Sequence, residues 1–139
     1  MSASAVAVSG YITLMLVLVV LIGIIRTLEV INKGRAPNNF KPDGSDVSAF
    51  SHRLARAHAN CYESFPIVGG ILLLALAIGQ APITDALAPW AIAARLAQTM
   101  THLISTRSMA VQIRFFFFTV QLVIVAWWII RLLLLGAAS

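Results

Sequence analysis

Arg53, Arg56, Asn60 and Glu63 recur at intervals of three and four residues along Ser51–Pro66, S-H-R-L-A-R-A-H-A-N-C-Y-E-S-F-P. This stretch runs straight into the apolar sequence I-V-G-G-I-L-L-L-A-L-A-I from Ile67 to Ile78. At 100° per residue, one helix would carry all four side chains within an arc of about 80°. A charge held within a bilayer is costly and normally faces a partner, a cavity or a ligand. This face is therefore the first place to look for chemistry.

Two later segments repeat the pattern. Arg95, Gln98 and His102 share an arc of about 60° on one helix, and Arg114 and Gln121 lie within about 20° on another. Arg26, Arg53, Arg56, Arg95 and Arg114 supply five guanidiniums against two acids in the apolar segments, Glu29 and Glu63. A guanidinium keeps its proton at any relevant pH, so the surplus is not relieved by neutralisation. An anionic ligand resolves it, since arginine grips carboxylates bidentately, and Glu63 could take a ligand ammonium or hold the arginine forks. Polar residues also join membrane helices by hydrogen bonds. That accounts for one or two such residues, and poorly for four on one face.

Other chemistries find no support. The three histidines and single Cys61 fit no common zinc spacing, so no metal is expected. There is no Ser-His-Asp order, phosphate loop or G-x-G-x-x-G. Cys61 reads as a small packing residue. His58 falls about 140° from Arg53 and reads as a packing or lipid-interface residue, whereas His52 and His102 admit either reading.

The elements that position these residues follow from composition. Of 139 residues, 60% are hydrophobic and 11% charged, against about a quarter charged in soluble domains. The expected fold class is an all-α integral membrane protein, a single domain (1–139) built as an antiparallel bundle of four transmembrane helices. The spacing predicts helices over about 5–33, 48–79, 83–105 and 109–135, with a polar loop at about 34–47 that Pro37 and Pro42 keep from being helical. The second segment reaches the roughly 20 residues needed to cross a bilayer only by including Arg53 to Glu63. Met1 to Gly10 has no basic residue and the apolar run is too long for a cleaved leader, so the first segment is expected to span. Arg26 and Glu29, three apart, are placed to face each other. Asp46 or Ser48 is expected to cap the second helix, and Pro89 to kink the third or delay its start. Trp90, Trp127 and Trp128 are assigned to interfacial belts. Phe115 to Phe118 surround their helix as lipid-facing or interhelical filler, with Phe118 set apart because it lies one turn beyond Arg114.

Net charge is +5, concentrated in the first connection (Lys33, Arg35, Lys41) and the third (Arg107). By the positive-inside rule these connections are cytoplasmic and both termini lie on the far side. A multi-pass protein of a bacterial inner membrane is expected. Nucleic acid is excluded as a partner, because the bases are spread along helix ends and form no continuous patch.

The motif R-x-x-R-A-H-x-N-x-x-E followed by F-P, with N-C-Y-E-S-F-P at its end and Q-I-R opening the last helix, resembles the signature of the MAPEG family. These are membrane-associated proteins in eicosanoid and glutathione metabolism, and the likeness covers nearly the whole chain. The resemblance implies a homotrimer that binds glutathione as co-substrate at subunit interfaces, near the cytoplasmic helix ends. It places Arg53, Arg56, Asn60 and Glu63 of the second helix on glutathione, with Arg95, Gln98 and His102 of the third and Arg26 of the first. Arg114 matches the arginine that approaches the glutathione sulfur. The implied activity is glutathione transfer or peroxide reduction on a lipophilic electrophile from the bilayer. Ala59, Ser64 and Phe118 depart from residues that relatives carry, arginine at the first and tyrosine at the others, which bears on the second substrate.

Two other readings stand beside it. A non-enzymatic lipid-binding or scaffold protein could keep the motif without turnover. A four-helix small multidrug transporter would need an isolated acid in its first helix. Tyr11 to Ile25 has none, and the arginines around Glu63 would repel cationic drugs.

Overall fold

Long runs of Leu, Ile, Val and Ala form helices here because an apolar setting leaves the backbone no other partner for its N–H and C=O groups. The computed structural model describes residues 1–138, and among these no strand occurs. The helices are α1 (Ala3–Lys33), α2 (Ala49–Ala77), α3 (Ala81–Asp85), α4 (Ala88–Ile104) and α5 (Ser108–Ala137). Three of them, α1, α2 and α5, are long and apolar enough to cross a membrane.

Local chemistry sets the ends. The Ser2 hydroxyl accepts the Ala5 amide to open α1, and Gly34 closes it at φ 65°, donating to the Val30 carbonyl. Ser48, rather than Asp46, caps α2 by accepting from the Ser51 amide at 3.0 Å. Asp46 instead pairs with Arg35 and accepts the Lys41 amide at 3.0 Å, which together hold the loop. Gly44, at φ 69°, has no space for a Cβ, which would sit 2.7 Å from the Ser51 carbonyl oxygen.

The expected third helix at 83–105 is corrected in its first turn. A short α3 ends at Asp85, a turn follows at 86–87, and α4 starts at Ala88 with Pro89 in its opening turn. Proline belongs there, because the missing N–H would have had no intrahelical partner. The expected Arg26–Glu29 pair is also absent. Glu29 holds Lys33 at 2.7 Å, and Arg26 turns to the loop, donating to the Lys41 carbonyl at 3.3 Å and lying over the Phe40 ring at 5.5 Å.

Packing places α4 against α1, α2 and α5. Small residues (Ala7, Ala57, Ala88, Ala91, Ala94) are buried at the contacts, as expected where close approach of backbones, not expulsion of water, holds helices together. Tyr11, Leu54, Val68, Leu72 and Trp128 fill the middle. Trp128 is fully buried, so its assignment to an interfacial belt is corrected, while Trp90 and Trp127 are exposed. Gly69 lies beneath Phe65, whose ring would have to shift for an added Cβ, which would fall 2.3 Å from it. That ring stands edge-on to Tyr11 at 5.3 Å.

The start of α1 is tied to α3. Ser4 donates its amide (2.8 Å) and hydroxyl (2.6 Å) to Asp85. The donated hydroxyl, with the amide, holds the Asp85 carboxyl below its ordinary value of 3.8. A depressed carboxyl stabilises the fold above its unfolded value and loses that contribution as pH falls through the folded one. Protection of the Ser4 amide relative to its intrinsic exchange rate is therefore expected to fall as pH drops below 3.8, and Asp85→Asn should flatten that dependence.

Candidate functional site

The polar face of α2 meets α4 and α5 in a cavity of about 250 Å³. Its lining comprises Arg56 and Asn60 from α2, Gln98 and His102 from α4, and Val111, Arg114, Phe115 and Phe118 from α5. Three helices thus bring together five of the residues read from the sequence as a binding face: Arg56, Asn60, Gln98, His102 and Arg114. Phe118, singled out by its spacing from Arg114, joins them.

Arg95 stands behind this wall, not on it. It is fully buried, donating from Nη1 to Asn60 Oδ1 at 2.7 Å and from Nη2 to Ser64 Oγ at 2.7 Å, with its guanidinium 5.2 Å from the Tyr11 ring centre. Gln98 Nε2 reaches the same Asn60 Oδ1 at 3.1 Å, and Gln121 Nε2 reaches Gln98 Oε1 at 2.9 Å. Tyr11 completes the set by donating to the Cys61 carbonyl at 2.9 Å. A hydrogen-bonded layer therefore crosses α1, α2, α4 and α5 directly beneath the cavity.

Within the single chain three other residues lie elsewhere. Arg53 donates from Nε to the Leu103 carbonyl at 2.8 Å, and Glu63 is exposed with no ion pair. These two are the edges of the α2 arc, and the cavity takes only its centre. Arg26 lines a separate cleft of about 400 Å³ between α1 and α2, with Phe40, His58 and Tyr62. His58 and Tyr62 occupy the opposite side of α2 from Arg56 and Asn60.

Three lining or supporting residues went unmarked in the sequence reading: Val111, Phe115 and Tyr11. Phe115 has a usable signal, since it adjoins Arg114, but four consecutive phenylalanines hide which ring faces inward. Tyr11 shares a helix face with Ser4 seven residues earlier, a weaker signal because neither is charged.

The electrostatics are one-sided. Arg56, Arg95 and Arg114 make no ion pair among the described residues, whose acid–base pairs are confined to Glu29, Asp46 and their partners Lys33 and Arg35. No three His, Cys, Asp or Glu side chains among the described residues group to hold a metal ion. The cavity is suited to an acceptor-rich anion. Its apolar side, Val111, Phe115 and Phe118, suits a lipophilic second molecule.

Long apolar helices around a layer of amides and one fully buried arginine, Arg95, define an integral membrane protein. The MAPEG family model matches residues 4–134, and the chain belongs to the MAPEG family. The family takes in membrane proteins of eicosanoid and glutathione metabolism and includes glutathione transferases and related enzymes. No curated protein and no solved structure matched the chain.

Proposed function

We propose that this protein is a membrane-bound glutathione transferase or peroxidase that activates the glutathione thiol beside Arg114. The observation that carries the reading is the cavity in which Arg56 and Arg114 face one space without a carboxylate of the chain to balance them. Glutathione brings two carboxylates, an amine and a thiol. Arg56 would hold a carboxylate, and Arg114 would stand by the sulfur. A fixed positive charge there favours thiolate over thiol, the proton passing to solvent. The thiolate then bonds to an electrophilic carbon, displacing a leaving group or adding to an activated double bond. With a hydroperoxide it attacks the O–O bond, yielding an alcohol and a glutathione sulfenic acid that a second thiol converts to the disulfide and water.

The second substrate comes from the bilayer. Phe115 is 70% exposed in the single chain while lining the cavity, so that wall opens toward the apolar exterior. In this reading α4 serves as a fourth span, although its 17 residues cover only about 25 Å at 1.5 Å per residue. The working unit is a homotrimer in which a neighbouring copy brings its Arg26 cleft against the Arg56–Arg114 cavity, since one copy holds the two on opposite sides of α2. The basic connections and the site lie toward the cytoplasm of a bacterial inner membrane, with both termini periplasmic.

Isothermal titration of the detergent-solubilised protein with glutathione is expected to show saturable binding, with turnover of a chloro-dinitro-aromatic following from it. No binding at millimolar thiol would overturn the proposal in favour of a scaffold role. Binding without turnover would favour a non-enzymatic member of the family.

A further inference from the structure

Buried arginines in membrane helices normally meet an acid, and Arg95 meets only neutral groups. Its position at the head of a chain of amides suggests why. A guanidinium has donors and no acceptor, so the atom of Asn60 that faces it at 2.7 Å is the oxygen. That same oxygen faces Gln98 at 3.1 Å, so Gln98 must offer its nitrogen there and present its oxygen to Gln121. Gln121 in turn must offer its nitrogen, which also donates to the Phe117 carbonyl at 2.9 Å. A backbone carbonyl only accepts. The relay is thus pinned from both ends, by a donor-only group and an acceptor-only group, and the two agree on every amide.

The consequence is felt at the cavity. With Oδ1 turned back to accept from Arg95 and Gln98, Asn60 has only Nδ2 left for the cavity it lines, and that nitrogen makes no hydrogen bond within the described chain. The wall therefore presents N–H groups from Arg56, Asn60 and Arg114. We infer that Arg95, together with the Phe117 carbonyl at the far end of the relay, is a positioning residue that sets the donor polarity of this wall, selecting a ligand that offers a carboxylate or carbonyl oxygen to Asn60. Identifying that ligand as glutathione rests on the proposed function above. The orientation of Asn60 does not.

The discriminating substitution is Asn60→Asp, which changes one group from NH₂ to oxygen at constant shape. One carboxylate oxygen would stay against Arg95, now as an ion pair, and the other would confront the ligand. Detergent-solubilised Asn60→Asp is expected to match or exceed the wild type in thermal stability without ligand. Its glutathione affinity should fall on the order of 100-fold, because like charges would be apposed. Arg95→Met removes a buried charge that has no acidic partner, with little loss of volume. It leaves Asn60 Oδ1 held only by the 3.1 Å bond from Gln98, and should weaken glutathione binding by up to about tenfold, the worth of one neutral hydrogen bond. Arg95→Lys, which keeps a donor-only cation, should recover most of that loss. In both Arg95 variants the effect belongs in KM more than in kcat.

Wild-type affinity in Asn60→Asp would overturn the inference, and so would parallel loss of stability and binding, the mark of a structural role only. If the wild type binds no glutathione, the proposed function fails, and the relay is then judged by stability alone.

Discussion

Arg114→Ala is expected to abolish the thiolate of bound glutathione at neutral pH and to lower kcat/KM on the order of 100-fold, the usual cost of removing one preorganised charge-stabilising group. Arg114 lines the cavity and makes no ion pair or hydrogen bond among the described residues, so nothing in the fold depends on its charge. Without it, the thiol returns toward its ordinary value of about 8.5. Arg56 and Asn60 remain to hold the rest of the ligand, so affinity should change less than turnover. Rapid-mixing measurement of thiolate absorbance against pH reads the effect directly. Arg114→Lys should restore part of the signal, because the charge returns without the planar fork. Unaltered thiolate in Arg114→Ala would remove Arg114 from the chemistry.

The second large effect is on stability. Trp128→Ala should cost about 3 kcal/mol, the lower end of the range for deleting a large buried ring. The low end applies because helices separated in detergent remain in apolar surroundings, so lost packing and the cavity carry the cost and transfer from water does not. Trp128 is fully buried, and its indole Nε1 has no partner. Trp128→Phe should therefore cost well under half as much, since it strands no acceptor. Trp127→Ala, at a half-exposed neighbour, should stay within about 0.5 kcal/mol. Unfolding midpoints in dodecyl sulfate, followed by circular dichroism, separate the three. Equal losses at 127 and 128 would show that Trp128 is not part of the packed middle.

These two tryptophans mark where a sequence stops being informative. They are adjacent in an unbroken apolar run, and no local rule separates the one that fills the bundle from the one that faces outward. Polar residues were more legible, because each is expensive in an apolar segment and its spacing is meaningful. Arg56, Asn60, Gln98, His102 and Arg114 could be assigned to three faces from 3.6-residue periodicity alone, and these faces do meet. Arg95 shared the same arc as Gln98 and His102, yet it lies beneath the cavity wall. Its exclusion depends on Asn60 and Ser64 standing 2.7 Å away on another helix. Pro89 announced a disturbance, but whether it would bend a continuous helix or open a new one depended on the turn at 86–87.

The order of residues by itself determined that the chain enters a membrane, where its apolar segments lie, and which polar side chains share a face within each helix. Composition and periodicity are properties of one segment at a time. Tertiary structure alone decided the rotation of each helix about its axis relative to its neighbours. That choice admitted Arg56 and Asn60 to the cavity, left Arg53 and Glu63 at its margins, and turned Arg26 to a different cleft. It depends on close packing of small residues and on hydrogen bonds that fail beyond about 3.5 Å. Helical periodicity gives angles within a helix and is silent on distances between helices.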